Sequence, residues 1–450
     1  MRTALTIIHF LMILLFTAGS YGADNTTFVT PPWRHCLGIH KVGQFYLDIL
    51  SGYSEKFDDP QGLFCIKLDC NDDTGSDKDD DELTVFGLNS GNHNLIFNSG
   101  MTSICIMDGS GEGLAGFDRP LDVTGSREGD VFVADTGNDR ILHFLYQKDR
   151  LNRIGDIALT DGDPLSSPSS ISLSGGLLFI ADTGNDRIAV IEDNGKPVSM
   201  MRPEFRGMKL WGPTAVEAVS KGDDWVYYND FFVAVVDSLG NRLWKISTDG
   251  EPVEVAKYSS LGRKGRFGHV AIDYFGNIYV TDTKECVIHK FSRHLEYITA
   301  IGGIGYNGIE LDEPRGISIY RRFGQIFVSE RSGAQYFWIG TDILRLCAEN
   351  LVFDHDNNIL IIDISFLLTE HSYISMYLER EGEKKSYTLF EDIIIPGGEF
   401  ARTVKVPCLE DMELANCKIR LTVVAKPTYS SGEFLEVRRI SQLIAPLSSR

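Results

Sequence analysis

The chain has 450 residues, of which 43% are hydrophobic, more than one ordinary domain requires and enough for a large core. Its 63 acidic residues outnumber 43 basic ones, leaving a net charge of −20. That balance argues against nucleic acid or an anionic membrane as partner, because affinity for phosphate comes from clustered Lys and Arg.

Residues 1–22 read as an export signal: Arg2 supplies the charge, Ala4 to Thr17 are nearly all apolar, and Ser20-x-Gly22 is a small-x-small cleavage site. The apolar run is short for a transmembrane helix. The mature chain is therefore expected to lack a transmembrane segment and to be secreted, periplasmic or held at the cell surface. Residues 23–39 form a polar, proline-containing lead-in.

From 40 to 340, short apolar strands alternate with turns rich in Gly, Asp and Asn. One phrase occurs twice without change, as Asp135-Thr136-Gly137-Asn138-Asp139-Arg140-Ile141 and as Asp182-Thr183-Gly184-Asn185-Asp186-Arg187-Ile188. Each copy lies between two apolar runs, which predicts strand, tight turn, strand, with the glycine supplying a positive φ. Weaker relatives begin at Val85, Trp225, Ile278 and Ile326, with Trp225 to Asp230 the most degenerate. A second landmark, Phe or Leu then Pro three residues later, precedes five copies, as in Phe117-Asp118-Arg119-Pro120; in the fifth copy, Phe267-Gly268-His269-Val270, the proline is lost. Two landmarks recurring in phase six times predict a repeat architecture.

Asp69 to Glu82 holds eight carboxylates and one lysine. Asp69-x-Asn71-x-Asp73 spaces its oxygens as calcium loops do, and with Asp77 forms the candidate metal site. Gly75 falls one place late for an EF-hand and no glutamate stands at position twelve, so a solvated acidic loop is the alternative. Two G-x-G-x-x-G matches, at Gly111 and Gly303, are followed by strands, whereas a pyrophosphate site needs a helix there. No H-E-x-x-H, G-x-S-x-G, Walker or C-x-x-C motif is present.

After about 345 the phrase stops. Residues 345–450 carry strand-like segments such as Tyr373 to Glu379, where Ile374, Met376 and Leu378 alternate as one buried face requires. Eight cysteines suit an oxidising compartment, and Cys408 and Cys417, either side of an acidic loop, form the candidate disulfide.

Asp-x-x-Asn-x-Arg-Ile after an apolar strand resembles the NHL repeat over residues 40–340. The resemblance implies an all-β fold, a six-bladed NHL-like β-propeller, followed at 345–450 by a small β-sandwich with a loose likeness to immunoglobulin-like modules of exported bacterial proteins. With no catalytic motif present, the chain is expected to be an exported non-catalytic binding or scaffold protein that presents one propeller face to a protein or carbohydrate ligand. The alternative is a metal-dependent hydrolase or lyase, as in some six-bladed relatives, with its site in the central channel. Apart from calcium no cofactor is expected. Ring closure is expected to come from Phe45 to Leu50 pairing with Gln335 to Ile339, because the last blade otherwise lacks an outer strand.

Overall fold

The computed structural model describes residues 26–36, 39–52, 54–72, 82–100, 103–111, 114–237, 241–303, 309–354, 357, 359–380, 386–407 and 418–444. Six antiparallel sheets form the blades of a propeller, and two further sheets form a sandwich. Blade 1 consists of strands Pro60–Lys67, Leu83–Asn89, Asn94–Gly100 and Ser103–Met107, and blade 2 of Asp122–Gly125, Asp130–Asp135, Arg140–Gln147 and Arg150–Ile157. Blade 3 runs Pro168–Ser174, Leu177–Asp182, Arg187–Ile191, Pro197–Met201; blade 4 runs Pro213–Val219, Phe232–Asp237, Arg242–Ser247, Pro252–Lys257. Blade 5 is Val270–Ile272, Ile278–Asp282, Val287–Phe291 and Tyr297–Gly302, and blade 6 starts with Ile317–Tyr320, Gln325–Glu330 and Gly333–Ile339. Middle strands such as Phe232–Asp237 are buried at every position, because each blade face packs on a neighbouring blade.

The repeat phrase is a staple between blades. Asp135 and Asp182 each accept the backbone N–H of their own blade's landmark, Asp118 and Ser166, at 2.7 Å. Their other oxygens take the Arg140 and Arg187 Nε–H at 2.8 and 2.6 Å. Thr136 and Thr183 reach the next blade and donate to Pro168 O and Pro213 O at 2.7 Å. The left-handed residue of each turn is Asp139 or Asp186, with φ of 54° and 52°, and not the glycine. Gly137 and Gly184 are required for closeness instead. A Cβ on Gly184 would lie 2.3 Å from Ser166 Oγ. The fourth copy does not lie at Trp225 to Asp230: the pair equivalent to Asp135 and Arg140 is Asp237 and Arg242, with Asn241 in the left-handed position. Trp225 to Tyr228 precede that blade's second strand.

The ring closes through the N-terminal segment, but not as expected. Phe28–Val29 pairs with Ile339 and Trp338, and Lys41–Gly43 pairs with Gln335 to Gly333, so two short strands complete blade 6. Residues 45–50 lie in a helix, Gln44–Ser51, and pair with nothing in the sheet. Period-two and helical readings of a six-residue apolar run compete. Here Gly52 settles it, taking φ 65° and capping Asp48 O as helix C-termini do. The expected strand was wrong, and its partner was right.

The sandwich sets Ile343–Asp354, Ile359–Leu368 and Gly398–Pro407 against Ser386–Ile395, Ser372–Arg380, Lys418–Pro427 and Val437–Ile444. Ile374, Met376 and Leu378 point into its core beside Leu421 and Val423. It is tied to blade 5 through Glu370, which meets Lys290, Asn277 and Tyr279 in a fully buried cluster.

Candidate active site in the central channel

Inner strands follow one another round the ring, and Ile317–Tyr320 returns to Pro60–Lys67. Inward-facing side chains therefore line a channel of about 690 Å³. One residue of each blade stands at the same level, opposite the residue that precedes the turn: Gly62, Asp122, Ser170, Ala215, His269 and Gly316. Four of these six are small. Gly62 has to be, since a Cβ there would fall 2.2 Å from Asp122 Oδ1.

The two large members come from opposite blades and meet across the axis, with His269 Nε2 3.2 Å from Asp122 Oδ2. Asp122 is fixed: it accepts Ser170 Oγ–H at 2.6 Å and the Ile171 and Val123 N–H groups at 3.0 and 2.9 Å. The imidazole is held differently: both ring nitrogens are buried and neither makes a directed hydrogen bond, despite the short distance, while the side chain as a whole keeps 15% exposure. Burial disfavours the imidazolium, but the carboxylates of Asp122 and Glu217 outweigh it and leave the His269 pKa above 6.5.

Further along, Glu217 of blade 4 faces Arg321 of blade 6, Oε1 to Nη2 at 2.9 Å. Burial pushes the Glu217 pKa up against the pull of Arg321 and Ser172. Arg321 is held by Ile272 O at 3.2 Å and lies 3.7 Å from Asp223. Cys65, beside Ser318 Oγ at 3.3 Å, is pushed up to about 12 by burial and stays a thiol, unsuited to nucleophilic attack. Arg127 bridges Asp69 of blade 1 and Asp224 of blade 4 at 2.8 and 3.1 Å.

Of the metal candidates, Asp69 is thus engaged by Arg127, and Asn71 Nδ2 donates to Thr84 Oγ1 at 3.4 Å. Asp73 and Asp77 lie outside the described residues, as do Cys408 and Cys417. Cys65, Cys70, Cys105, Cys286 and Cys347 are free thiols. Among the described residues no three His, Cys, Asp or Glu side chains converge to hold a metal ion, and no helix is long and apolar enough to cross a membrane. The channel pair is not visible in the sequence, where His269 reads only as part of a landmark that has lost its proline. The usable signal was the channel-facing position just after the landmark, where Gly, Ser and Ala alternate with one Asp and one His.

No protein-family model matches the sequence, and no curated protein matches it. Similar solved structures include a catalytically inactive virginiamycin B lyase from Staphylococcus aureus with quinupristin, 15% identical over 66% of this chain and 98% of that one, TM-score 0.42. They also include a putative gluconolactonase at 10% identity, covering 63% and 89%, TM-score 0.42. A third is the PQQ-bound aldose sugar dehydrogenase from Streptomyces coelicolor, 9% identical over 63% and 96%, TM-score 0.41. Likenesses this distant concern the fold. The expectation of a non-catalytic scaffold is corrected: these three structures bear enzyme names, not those of scaffolds, and the correction for this chain rests on its own channel. This chain's own channel, moreover, is lined by titratable groups and not by an apolar plug.

Proposed function

We propose that the chain is an enzyme, a hydrolase or lyase whose active site is the central channel and whose chemistry is proton transfer. The observation that carries this reading is His269, 3.2 Å from Asp122 across the channel axis, with both ring nitrogens buried and free of directed hydrogen bonds. In its neutral form His269 takes a proton from water or from a substrate carbon, and Asp122 stabilises the imidazolium that results. Glu217, held toward its protonated form by burial, returns a proton to the leaving group. The channel volume of about 690 Å³ suits a small polar substrate. We further read the blades as NHL-like, the chain as exported, and the acidic stretch around Asp69 as the place where calcium would bind.

Turnover of a lactone and ester panel, followed by indicator dye, and of elimination substrates, followed by ultraviolet absorbance, tests this. His269→Gln should lower kcat by ~10²–10⁴-fold, the range of general acid–base catalysis, with an unchanged melting temperature. Because the His269 pKa is raised, wild-type kcat/KM should climb only as pH passes above 6.5. Equal turnover by His269→Gln, or none by the wild type on either panel, would overturn the proposal.

A further inference from the structure

Five blade junctions are filled by apolar side chains in mutual contact, from blades 1 and 2 round to blades 5 and 6. The sixth junction, where blade 6 meets blade 1, is built differently. There the facing apolar side chains stand around a cavity of about 490 Å³. Leu83, Val85 and Ile96 come from blade 1, Phe327 and Tyr336 from blade 6, and Ile49 from the helix Gln44–Ser51. The Phe327 and Tyr336 rings stack 4.5 Å apart and 4° from parallel, making one flat wall. Gly87 leaves the opposite wall open, since a Cβ there would find nothing nearer than Ile96 O at 3.9 Å. It needs no positive φ either.

The chemistry of the lining specifies the occupant. Among the described residues it contains no Lys, Arg, Asp or Glu, and its two histidines, His35 and His40, are the only side chains there that could carry a positive charge. Its main amides are already engaged: Asn98 lies between Val85 N and Leu83 O at 2.6 and 3.0 Å, and Gln335 Nε2 donates to Glu310 O and Glu330 Oε1 at 2.7 Å. A ligand here meets no permanently charged side chain and gains few hydrogen bonds. Cavities of ~150 Å³ with such a lining take up benzene, and this one falls within the ~300–1,000 Å³ range of small-molecule pockets. We infer that the seam between the first and last blades is a binding site for an uncharged, hydrocarbon-like molecule of drug size, separate from the channel.

Nile red fluorescence tests the site on the intact chain. Saturable binding is expected, with 1-hexadecanol displacing the dye at least tenfold better than hexadecanoate. Gly87→Leu, which fills the cavity from a position with room for a side chain, should weaken dye binding at least tenfold. Ala334→Leu fills it from the other wall and gives the same readout if Gly87→Leu lowers the melting temperature. His269→Gln should bind the dye like the wild type. No saturable binding, wild-type affinity in both filled variants, equal displacement by hexadecanoate, or loss of dye binding in His269→Gln would overturn the inference.

Discussion

Asp182 and Arg187 show how one repeated pair holds a blade turn. Arg187 has only 4% of its side chain exposed, and Asp182 none. Removing one partner leaves the other charge buried and uncompensated, so Asp182→Ala should cost ~3–5 kcal/mol. Arg331 and Asp312 form a pair at 2.9 Å with the arginine 57% exposed, and Asp312→Ala should cost no more than ~1 kcal/mol. Urea melts of the two variants check the contrast, and comparable losses would mean that burial does not govern these pairs. The phrase itself was legible in the sequence as a turn between strands. Its glycine was misread, because φ at Gly184 is ordinary and the constraint is the approach of Ser166 from another part of the chain. Spacing along one strand pair carries no trace of such an approach.

At the scale of the element, ring closure depends on very short strands. Phe28–Val29 gains its hold from Phe28, 1% exposed and stacked on Phe337 and Tyr279 at 5.6 and 5.9 Å. Phe28→Ala should therefore destabilise the propeller by ~3–5 kcal/mol, the usual cost of truncating a buried phenylalanine. The variant should also raise amide exchange in Gly333–Ile339, whose outer edge would lose its partner. Unchanged exchange in that strand would show that Lys41–Gly43 closes the ring alone. The expected closing segment was wrong for a physical reason. Two- and three-residue strands carry too few positions to show a period, while the conspicuous apolar run of residues 45–50 is turned into a helix by its glycine cap.

At the scale of the whole molecule, the propeller and sandwich share one buried charge cluster. Lys290 and Glu370 are both fully buried and directly paired. Glu370→Gln should cost ~3–5 kcal/mol, and Lys290→Met combined with Glu370→Gln less than the sum of the singles. Asp273, in the same cluster, is pushed up to about 7 by burial first and by the Glu370 charge second. A carboxyl whose folded pKa is raised contributes stability below its ordinary value, here 3.8, and loses it as pH rises toward 7. Glu370 has the opposite sign. Burial opposes its charge, Lys290 outweighs burial, and the stability it contributes is present above 4.5 and fades only as pH falls toward about 2. Between pH 4.5 and 7 only the Asp273 contribution changes in this pair, so the melting temperature should fall across that window and level off above it. The slope should shrink in Asp273→Asn, and an unchanged slope would place the titrating group elsewhere.

The repeat, its six-fold count, the all-β class and the buried face of strands such as Ser372–Arg380 were all legible in the residue order. These depend on local periodicity and turn chemistry, which neighbouring residues carry between them. The site exists only in the folded ring. Asp122 and His269 are 147 positions apart in the chain and come from opposite blades, and each alone is an ordinary polar residue beside a turn. Their chemistry exists because six inner strands converge on one axis, with small residues at the other four places. The same convergence decided which segment closes the ring and where the seam cavity lies. Contacts between the two ends of a chain depend on how the ring shuts, and no period within a blade records that.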